Sequence, residues 1–234
     1  MSRDTQIHMA IMGSKPFIST VTDVREVALA ATAELAYWRG KLRAERLVPY
    51  EDDGRASLLL TAIESKFRGI PFRELSISVL VSNDGGATPA GAYLAHAYNS
   101  SRLLAFAEQI FFQTPYHLAQ LTMDERIPAR IGMSRDERVL FSARMGDRTA
   151  PDGEEDALFD GPIYLPGGRQ VFYARLSGRG QRYAFDAADQ MTIERSPNDP
   201  IFGQLIDSDV KGREWLVRAG AIHARSKTYR RDET

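Results

Sequence analysis

The sequence predicts a β-dominated α+β fold, a mixed and mostly antiparallel barrel or cone with a few short helices. Polar and apolar residues alternate along Phe72–Val81, which is typical of a strand whose two faces differ. The turn at Asn83–Gly86 leads into Gly91–Tyr98, a second strand-like run rich in aromatic and small residues. After residue 115 the chain consists mainly of short strand-like runs separated by turns.

The same patterns predict further strands and turns. The additional strands are Arg25–Ala31, Ser57–Glu64, Val139–Met145, Gln170–Ser177, Gln181–Asp186 and Trp215–Thr228. Ser177–Gly180, between two of these strands, has the composition of a hairpin turn. The polar loop Ala150–Glu155 is the best candidate for a domain boundary, but it is too short to argue for two domains. We therefore predict that residues 1–234 form one domain.

Three helices are also expected. The clearest is Arg102–Phe112, whose first turn Ser100 or Ser101 can cap. It carries an apolar stripe at helical spacing, made of Leu103, Phe106, Ala107 and Ile110. This stripe predicts that the helix packs on the barrel. The other predicted helices are Ala33–Leu42, which Thr32 caps, and Pro200–Asp207.

The composition argues against several classes of function. The 30 basic and 31 acidic residues give a formal net charge of -1, so no bulk field attracts nucleic acid or an anionic membrane. Because the chain has no cysteine, disulfides, thiolate nucleophiles and cysteine metal sites are excluded. Met1–Gly13 lacks the apolar run of a signal peptide, and nowhere do about 18 apolar residues follow one another. We expect a cytoplasmic protein with neither a membrane nor a nucleic-acid partner.

A longer motif spans the strand and helix around residue 100. It is the run GAYLAHAYNSSRLLAFAEQIFFQTPYHLAQL, Gly91–Leu121. This run resembles a segment of the acetoacetate decarboxylase family, in which a Gly-x-Tyr strand leads to a short helix that ends at a proline followed by two lysines. Tyr93, Tyr98 and Pro115 match that spacing without a gap. The resemblance implies the family's barrel or cone, and we expect no cofactor.

Two upstream motifs agree with the resemblance. Phe72–Ser76 is similar to the family's aromatic-x-Glu-Ser strand, which implies that Glu74 is a pocket glutamate. Arg25 and Glu26 stand where the family has an Arg-Glu pair, which implies that Arg25 binds the substrate carboxylate. Both residues also have a simpler interpretation. Arg25 fits a surface position, and Glu74 fits the solvent face of an amphipathic strand.

The chain departs from the family at the catalytic amines. Imine catalysis needs a neutral primary amine, and in the family a neighbouring second lysine disfavours charging of both. Tyr116 and His117 occupy these two positions, and the position of a second pocket glutamate falls near Leu59. The lysines lie elsewhere, at Lys15, Lys41, Lys66, Lys211 and Lys227. We predict that the protein forms no imine with acetoacetate.

Four aromatic or histidine side chains are further candidates for the pocket. Tyr116 can donate a hydroxyl proton, and His117 can carry out acid–base chemistry near neutral pH unless it is only structural. Because neighbouring strand residues point to opposite faces, at most one of the two is expected in the pocket unless a bulge intervenes. His96 and Tyr98 are candidate substrate-binding residues, although a structural barrel histidine also explains His96. The histidines have no metal-binding spacing, so no metal site is expected.

Two kinds of function are compatible with these residues. The first is an enzyme that acts on a small oxo acid or related carboxylate by lyase, hydratase or enolisation chemistry, in which Glu74 with Tyr116 or His117 moves protons. The second is a non-catalytic small-molecule-binding or structural protein that keeps the barrel. Family members that resemble this chain are oligomers and its aromatic segments supply apolar surface, so a homo-oligomer is expected.

Overall fold

Strands dominate the computed structural model, which describes residues 16–148 and 150–231. In chain order the elements are β1 (Phe17–Glu34), α1 (Leu35–Arg43), β2 (Val48–Pro49), β3 (Glu51–Asp52), β4 (Arg55–Phe67), β5 (Ile70–Ser82), β6 (Pro89–Asn99), α2 (Arg102–Ala107), β7 (Tyr116–Leu118), β8 (Gln120–Asp124), β9 (Arg130–Arg135), β10 (Arg138–Arg144), β11 (Gly153–Tyr164), β12 (Gln170–Ala184), β13 (Gln190–Ile193), α3 (Pro200–Asp207), β14 (Lys211–Ser226) and β15 (Tyr229–Arg230). A π-helical turn, Glu108–Phe112, continues α2. No helix within the described ranges is long and apolar enough to cross a bilayer. Met1–Gly13 and Lys15, which entered the sequence predictions, lie outside the described residues.

Seven strands of the larger sheet form a closed ring. The order around it is β5, β4, β1, β14, β12, β11 and β6, and β6 pairs with β5 to complete it. All these pairings are antiparallel except the one between β6 and β11. The short strands β2, β3, β7 and β15 extend the ring locally. The predicted mixed, mostly antiparallel barrel or cone with few helices is thereby confirmed.

A second, four-stranded antiparallel sheet covers the ring from outside. Its strand order is β13, β10, β9 and β8. Side chains from this sheet, α1 and α3 share one hydrophobic cluster with residues of β1, β4 and β5. Its largest fully buried members include Trp38, Phe141, Phe202 and Trp215. Because a seven-stranded ring cannot enclose a sheet and two helices, the face that bears this cluster is the outer one.

The inner face of the ring carries the alternate residues of the same strands. On β1, Val27 and Leu29 belong to the outer cluster, so Glu26 points inward. Two smaller apolar clusters lie on the inner side. One is made of Val24, Ile63, Phe72 and Ala221, and the other includes Leu94, Tyr116, Phe172 and Ala174. Ionisable residues lie beside these clusters and form the candidate site.

Most predicted elements are present, with changed boundaries. The strands predicted at Arg25–Ala31, Ser57–Glu64, Phe72–Val81, Gly91–Tyr98, Val139–Met145 and Trp215–Thr228 correspond to β1, β4, β5, β6, β10 and β14. The predicted helix Pro200–Asp207 is α3. The Thr32 cap is wrong, because Thr32 and Ala33 both pair with β4. Strand β1 therefore continues to Glu34, and α1 begins at Leu35.

The hairpin turn predicted at Ser177–Gly180 is wrong. These residues lie within the continuous strand β12, between β11 and β14. The register with β14 shifts between Ser177 and Gly180, so the glycines form a bulge. Gly178 has a φ of 147°, and a Cβ there would lie 3.1 Å from the Cα of Ala221. The glycines therefore allow a close approach of two strands, and they do not reverse the chain.

The helix predicted at Arg102–Phe112 forms as α2 and the π turn, but its apolar stripe does not pack on the ring. Ser101 caps α2, since its Oγ accepts a hydrogen bond from the backbone N–H of Leu104. Four apolar side chains of this segment are exposed, namely Leu103, Phe106, Ile110 and Phe111. Leu104 and Glu108 contact the ring instead. The packing prediction fails because a polar contact of Glu108 orients the segment.

Candidate active site

Strand registry places a row of residues together on the inner face of the ring. Glu26 of β1 is opposite Ile63 of β4, Ile63 is opposite Glu74 of β5, and Glu74 is opposite Asn99 of β6. Residues directly opposite each other in paired strands point to the same face. Glu26 and Glu74 therefore both point into the ring, about two strand spacings, or roughly 10 Å, apart.

Two hydrogen bonds hold the carboxyl group of Glu74, which points from β5 to the inner face of the ring. Its Oε2 accepts a hydrogen bond of 2.9 Å from the Tyr116 hydroxyl, and its Oε1 accepts one of 2.8 Å from Asn99 Nδ2. Parallel pairing of β7 with β6 sets Tyr116 opposite Ala97 and turns its ring inward. Asn99 is fully buried and Tyr116 nearly so, so the Asn99 amide and the Tyr116 ring are held in place.

The surroundings of Glu74 favour its protonated form. Burial raises the pKa of Glu74 to about 7, the nearby Glu108 carboxylate adds to the rise, and the hydrogen bonds from Tyr116 and Asn99 and the charge of Arg225 oppose it. Burial also raises the pKa of Tyr116 well above its ordinary value, and the Glu74 carboxylate acts in the same direction. Glu74 can therefore gain or lose a proton near neutral pH, whereas Tyr116 stays a donor.

Arg225 lies beside this pair and is fixed from three sides. Its Nη1 donates to both carboxylate oxygens of Glu108, at 2.8 and 2.6 Å. Its guanidinium carbon lies 4.3 Å from the ring centre of Phe112 and 4.4 Å from that of Phe172. The Thr114 hydroxyl also donates to Glu108, at 2.8 Å. The π turn thus places the Glu108–Arg225 ion pair and the aromatic side chain of Phe112 beside Glu74 and Tyr116, on the inner face of the closed sheet.

A second buried polar cluster, the Glu26 cluster, consists of Glu26, Arg218 and His223. Arg218 Nη1 donates to Glu26 Oε1 at 3.1 Å, and His223 Nε2 lies 2.8 Å from Glu26 Oε2. Burial raises the pKa of Glu26, but the hydrogen bond from His223 and the charge of Arg218 outweigh it, and the pKa lies below its ordinary value. Glu26 is therefore an anion that orients a histidine on the inner face.

The structure brings Glu74 and Tyr116 together but places His117 on the other side of the sheet. The ring of His117 stacks on His96, with centroids 4.6 Å apart and planes 6° from parallel. Tyr98 lies on the same outer face and donates a 2.9 Å hydrogen bond to Asp199. The candidate substrate-binding residues His96 and Tyr98 therefore do not face Glu74.

Arg25 also lies on the outer face, one residue from the inward-pointing Glu26. It pairs with Glu64 and, at 3.3 Å, with Glu125, and its side chain is 45% exposed. Adjacent strand residues alternate in direction, so Glu26 takes the inward position of this pair. The predicted carboxylate-binding arginine is thus an exposed ion-paired residue in this structure.

No lysine side chain of the described residues is buried. Lys41, Lys66, Lys211 and Lys227 are all exposed. Leu59, near the position of the family's second pocket glutamate, is on β4. Within residues 16–148 and 150–231, no three His, Asp or Glu side chains are arranged to hold a metal ion. The nucleophilic amine that imine chemistry needs is therefore not provided near Glu74 by any described lysine.

Sequence reasoning missed several residues around Glu74 and Glu26 on the inner face. Asn99, Glu108, Arg225 and His223 were not among the candidate site residues. A signal for two of them was present, because His223 and Arg225 are two residues apart and share one face of the final strand. An open surface pocket of about 420 Å³ adjoins this group and shares Phe112 with it.

Comparisons with known proteins identify the fold. A scan of the sequence against protein-family models gave no match, and a search of curated proteins also gave none. Solved structures do match. Acetoacetate decarboxylase from Legionella pneumophila subsp. pneumophila str. Philadelphia 1 is similar with a TM-score of 0.61 at 11% identity, over 97% of this chain and 94% of that one.

Two further solved structures give the same result. An acetoacetate decarboxylase-like enzyme from Sphingomonas wittichii RW1 has a TM-score of 0.59 at 12% identity, over 94% of this chain and 98% of that one. The enduracididine biosynthesis enzyme MppR, complexed with the condensation product of pyruvate and imidazole 4-carboxaldehyde, has a TM-score of 0.60 at 13% identity, over 93% and 90% of the two chains. The chain therefore has the acetoacetate decarboxylase-like fold.

Proposed function

We propose that this protein is an enzyme that moves protons on a small oxo acid or related carboxylate without forming an imine. The observation that carries the proposal is the buried hydrogen bond between Glu74 and Tyr116, at 2.9 Å, on the inner face of the ring. A carboxyl group whose pKa lies at about 7 is suited to general acid–base catalysis at neutral pH. Lyase, hydratase and enolisation reactions all include such a step.

The proposed step is enolisation of the substrate. Ionised Glu74 takes a proton from the carbon next to the carbonyl, and an enol or enolate results. Once Glu74 holds that proton it no longer needs the hydrogen bond from Tyr116, and the Tyr116 O–H turns about its C–O bond to donate to the oxygen on which negative charge develops. In the reverse step Glu74 returns a proton to the carbon. Because the carboxyl proton exchanges with solvent, isotope from solvent enters the substrate.

The comparisons support an enzyme of this general kind. The three solved structures described above are of enzymes, and the ligand of MppR was the condensation product of pyruvate, a small oxo acid, and imidazole 4-carboxaldehyde. Pyruvate is therefore the first substrate to test. The exposed positions of the described lysines and the presence of Tyr116 and His117 after Pro115 support a route without an amine.

Deuterium exchange tests the proposal without knowledge of the full reaction. Pyruvate and acetoacetate are incubated with the protein in D₂O, and loss of the carbon-bound protons is followed by NMR. We expect exchange well above the buffer rate, a loss of about 100-fold or more in Glu74→Gln, and a loss of roughly 10-fold in Tyr116→Phe. His117→Asn, altered on the outer face, is the matched control and should keep the wild-type rate.

The alternative is a binding or structural protein that keeps the ring without catalysis. Exchange at the buffer rate with every oxo acid of the panel would contradict the enzyme proposal. If the same oxo acids nevertheless bind, the protein is a non-catalytic binding protein.

A further inference from the structure

Arg225 has an unused hydrogen-bonding edge on the inner face of the ring. It pairs with Ala174 of β12, whose side chain belongs to the inner cluster that also contains Phe172. Only Nη1 of its guanidinium contacts a carboxylate, that of Glu108. Nε and Nη2 are both buried, and neither donates to any residue in the described part of the chain. Buried charged donors without a partner are costly, so this edge calls for an acceptor.

The chemistry of that edge defines the acceptor. Nε–H and one N–H of Nη2 point in the same direction along one side of a planar guanidinium, with the separation of two carboxylate oxygens. Three other arginines, Arg148, Arg182 and Arg218, each have a buried Nε without a partner in the described residues, but none of them also has a buried Nη2 without a partner. Among these arginines, Arg225 is thus distinguished by a bidentate edge that is buried at both donors.

The surroundings hold the edge in place before any ligand arrives. The ring centres of Phe112 and Phe172 lie 4.3 and 4.4 Å from the guanidinium carbon of Arg225. Glu108 fixes the other end of the guanidinium by accepting hydrogen bonds from Nη1. A group that is already oriented loses little conformational freedom when it binds a ligand. The Arg225 guanidinium also lies close enough to Glu74 to influence its pKa, so a ligand bound at this edge is near the proton-transferring carboxyl.

We propose that the Nε/Nη2 edge of Arg225 binds the carboxylate of the substrate, which places the oxo group of a small oxo acid toward Glu74 and Tyr116. The proposal rests on the proposed function and specifies its substrate class. It assigns to Arg225 the role that the family resemblance implies for Arg25, which points to the outer face.

Binding measurements with pyruvate test this assignment. Isothermal titration or ligand-observed NMR gives the Kd for the wild type, Arg225→Lys, Arg225→Gln and Arg25→Gln. Lysine keeps the positive charge but cannot donate two parallel hydrogen bonds to a carboxylate, so we expect a Kd about 10-fold higher or more in Arg225→Lys. Glutamine also removes the charge, and in Arg225→Gln we expect a Kd about 100-fold higher. Arg25→Gln is the matched control and should stay within about 2-fold, since an exposed ion pair contributes little. Acetone, which has the carbonyl but no carboxylate, should bind no better to the wild type than to Arg225→Lys.

A second measurement covers the case in which Arg225 variants fail to fold, as circular dichroism would reveal. Wild-type crystals soaked in pyruvate should show its carboxylate within about 3 Å of both Nε and Nη2. A carboxylate bound to any other residue, or no bound pyruvate, would overturn the assignment.

The two proposals fail in different ways. Unchanged pyruvate binding in folded Arg225→Lys, together with deuterium exchange that needs Glu74, would remove the carboxylate site and leave the proposed function standing. Binding that depends on Arg225 without any exchange would do the reverse.

Discussion

Glu74 is the residue whose chemistry depends most on its surroundings. A glutamate in water is ionised at neutral pH, but burial beside Glu108 raises the pKa of Glu74 to about 7. The hydrogen bond from Tyr116 keeps the carboxyl in a single position. The alternation of Glu74 with apolar neighbours predicted a strand, but alternation alone does not say which face is open to solvent. The closed ring decides that question, because it turns this polar face inward.

The raised pKa of Glu74 predicts how stability depends on pH. Because the folded-state pKa lies above the unfolded value of 4.5, this group's contribution to stability is fully present below about pH 4.5 and is lost as pH rises through about 7. Glu74→Gln cannot ionise, so its free energy of unfolding should gain roughly 2 to 3 kcal/mol relative to wild type between about pH 5 and pH 8. Urea unfolding at several pH values measures this.

The exposed carboxyl of Glu194 supplies the control for that experiment. Glu194→Gln should follow the wild-type pH dependence, because the side chain is about half exposed and pairs with Arg138 only at 3.6 Å. Parallel curves for wild type and Glu74→Gln would contradict a buried, proton-exchanging carboxyl.

At the scale of elements, the failed predictions all concern the same limitation. Ser177–Gly180 has the composition of a turn, yet pairing with both β11 and β14 makes it a bulge within β12. The stripe on α2 and the π turn looks like a core-facing surface, yet the contact between Glu108 and Arg225 turns it outward. The local sequence indicates secondary-structure propensity and hydrophobic periodicity, whereas contacts with residues distant in sequence determine whether a segment turns and which face it buries.

Two glycine substitutions, one at the bulge and one in α1, should have opposite effects on stability. In Gly178→Ala the new Cβ would lie 3.1 Å from the Cα of Ala221 at a φ of 147°, so we expect a loss of about 1 to 3 kcal/mol. Gly40 in α1 has open space around its Cα, and Gly40→Ala should stabilise the protein by about 0.5 to 1 kcal/mol. Thermal unfolding of both variants provides the comparison. A stable Gly178→Ala would mean that the two strands do not approach closely.

The exposed stripe also predicts assembly. Leu103, Phe106, Ile110 and Phe111 lie on one short segment, and Phe111 is 73% exposed. A patch of this kind is unusual on a monomer, so we expect a homo-oligomer that buries it. Light scattering should give a mass above one chain for wild type and a lower mass for the double variant Phe106→Glu, Phe111→Glu. Ile222→Glu, at an exposed position on β14, is the control. A wild-type mass of one chain at micromolar concentration would contradict this expectation.

At the scale of the whole molecule, the sequence predicted the fold better than the site. Alternation, turns and the Gly91–Leu121 motif were enough to indicate a mixed barrel with few helices. Strand alternation also predicted that at most one of Tyr116 and His117 faces the pocket unless a bulge intervenes, and the structure separates them across the sheet. The position of Glu74 close to Asn99 and Arg225 depends on closure of the ring by pairing of β5 with β6, which no local sequence pattern predicts.

The distribution of lysines over the molecule predicts the absence of imine chemistry. Every described lysine is exposed to solvent, whereas attack on a ketone needs an amine held inside the pocket beside the substrate. Borohydride reduction in the presence of acetoacetate, followed by intact-mass measurement, should give no adduct. A stoichiometric adduct would contradict this, and peptide mapping would identify the lysine, including Lys15, that carries it.

The most direct test of the account is the pH dependence of deuterium exchange into pyruvate. Only ionised Glu74 can take a proton from the methyl carbon of pyruvate, next to the ketone. The ionised fraction of Glu74 grows as pH rises through about 7. We predict that the enzyme-dependent exchange rate rises with a midpoint near pH 7 and levels off above it, and that Glu74→Gln removes both the increase and the rate. Exchange in Glu74→Gln at the wild-type rate, with the same pH profile, would contradict the central claim that Glu74 is the proton-transferring group.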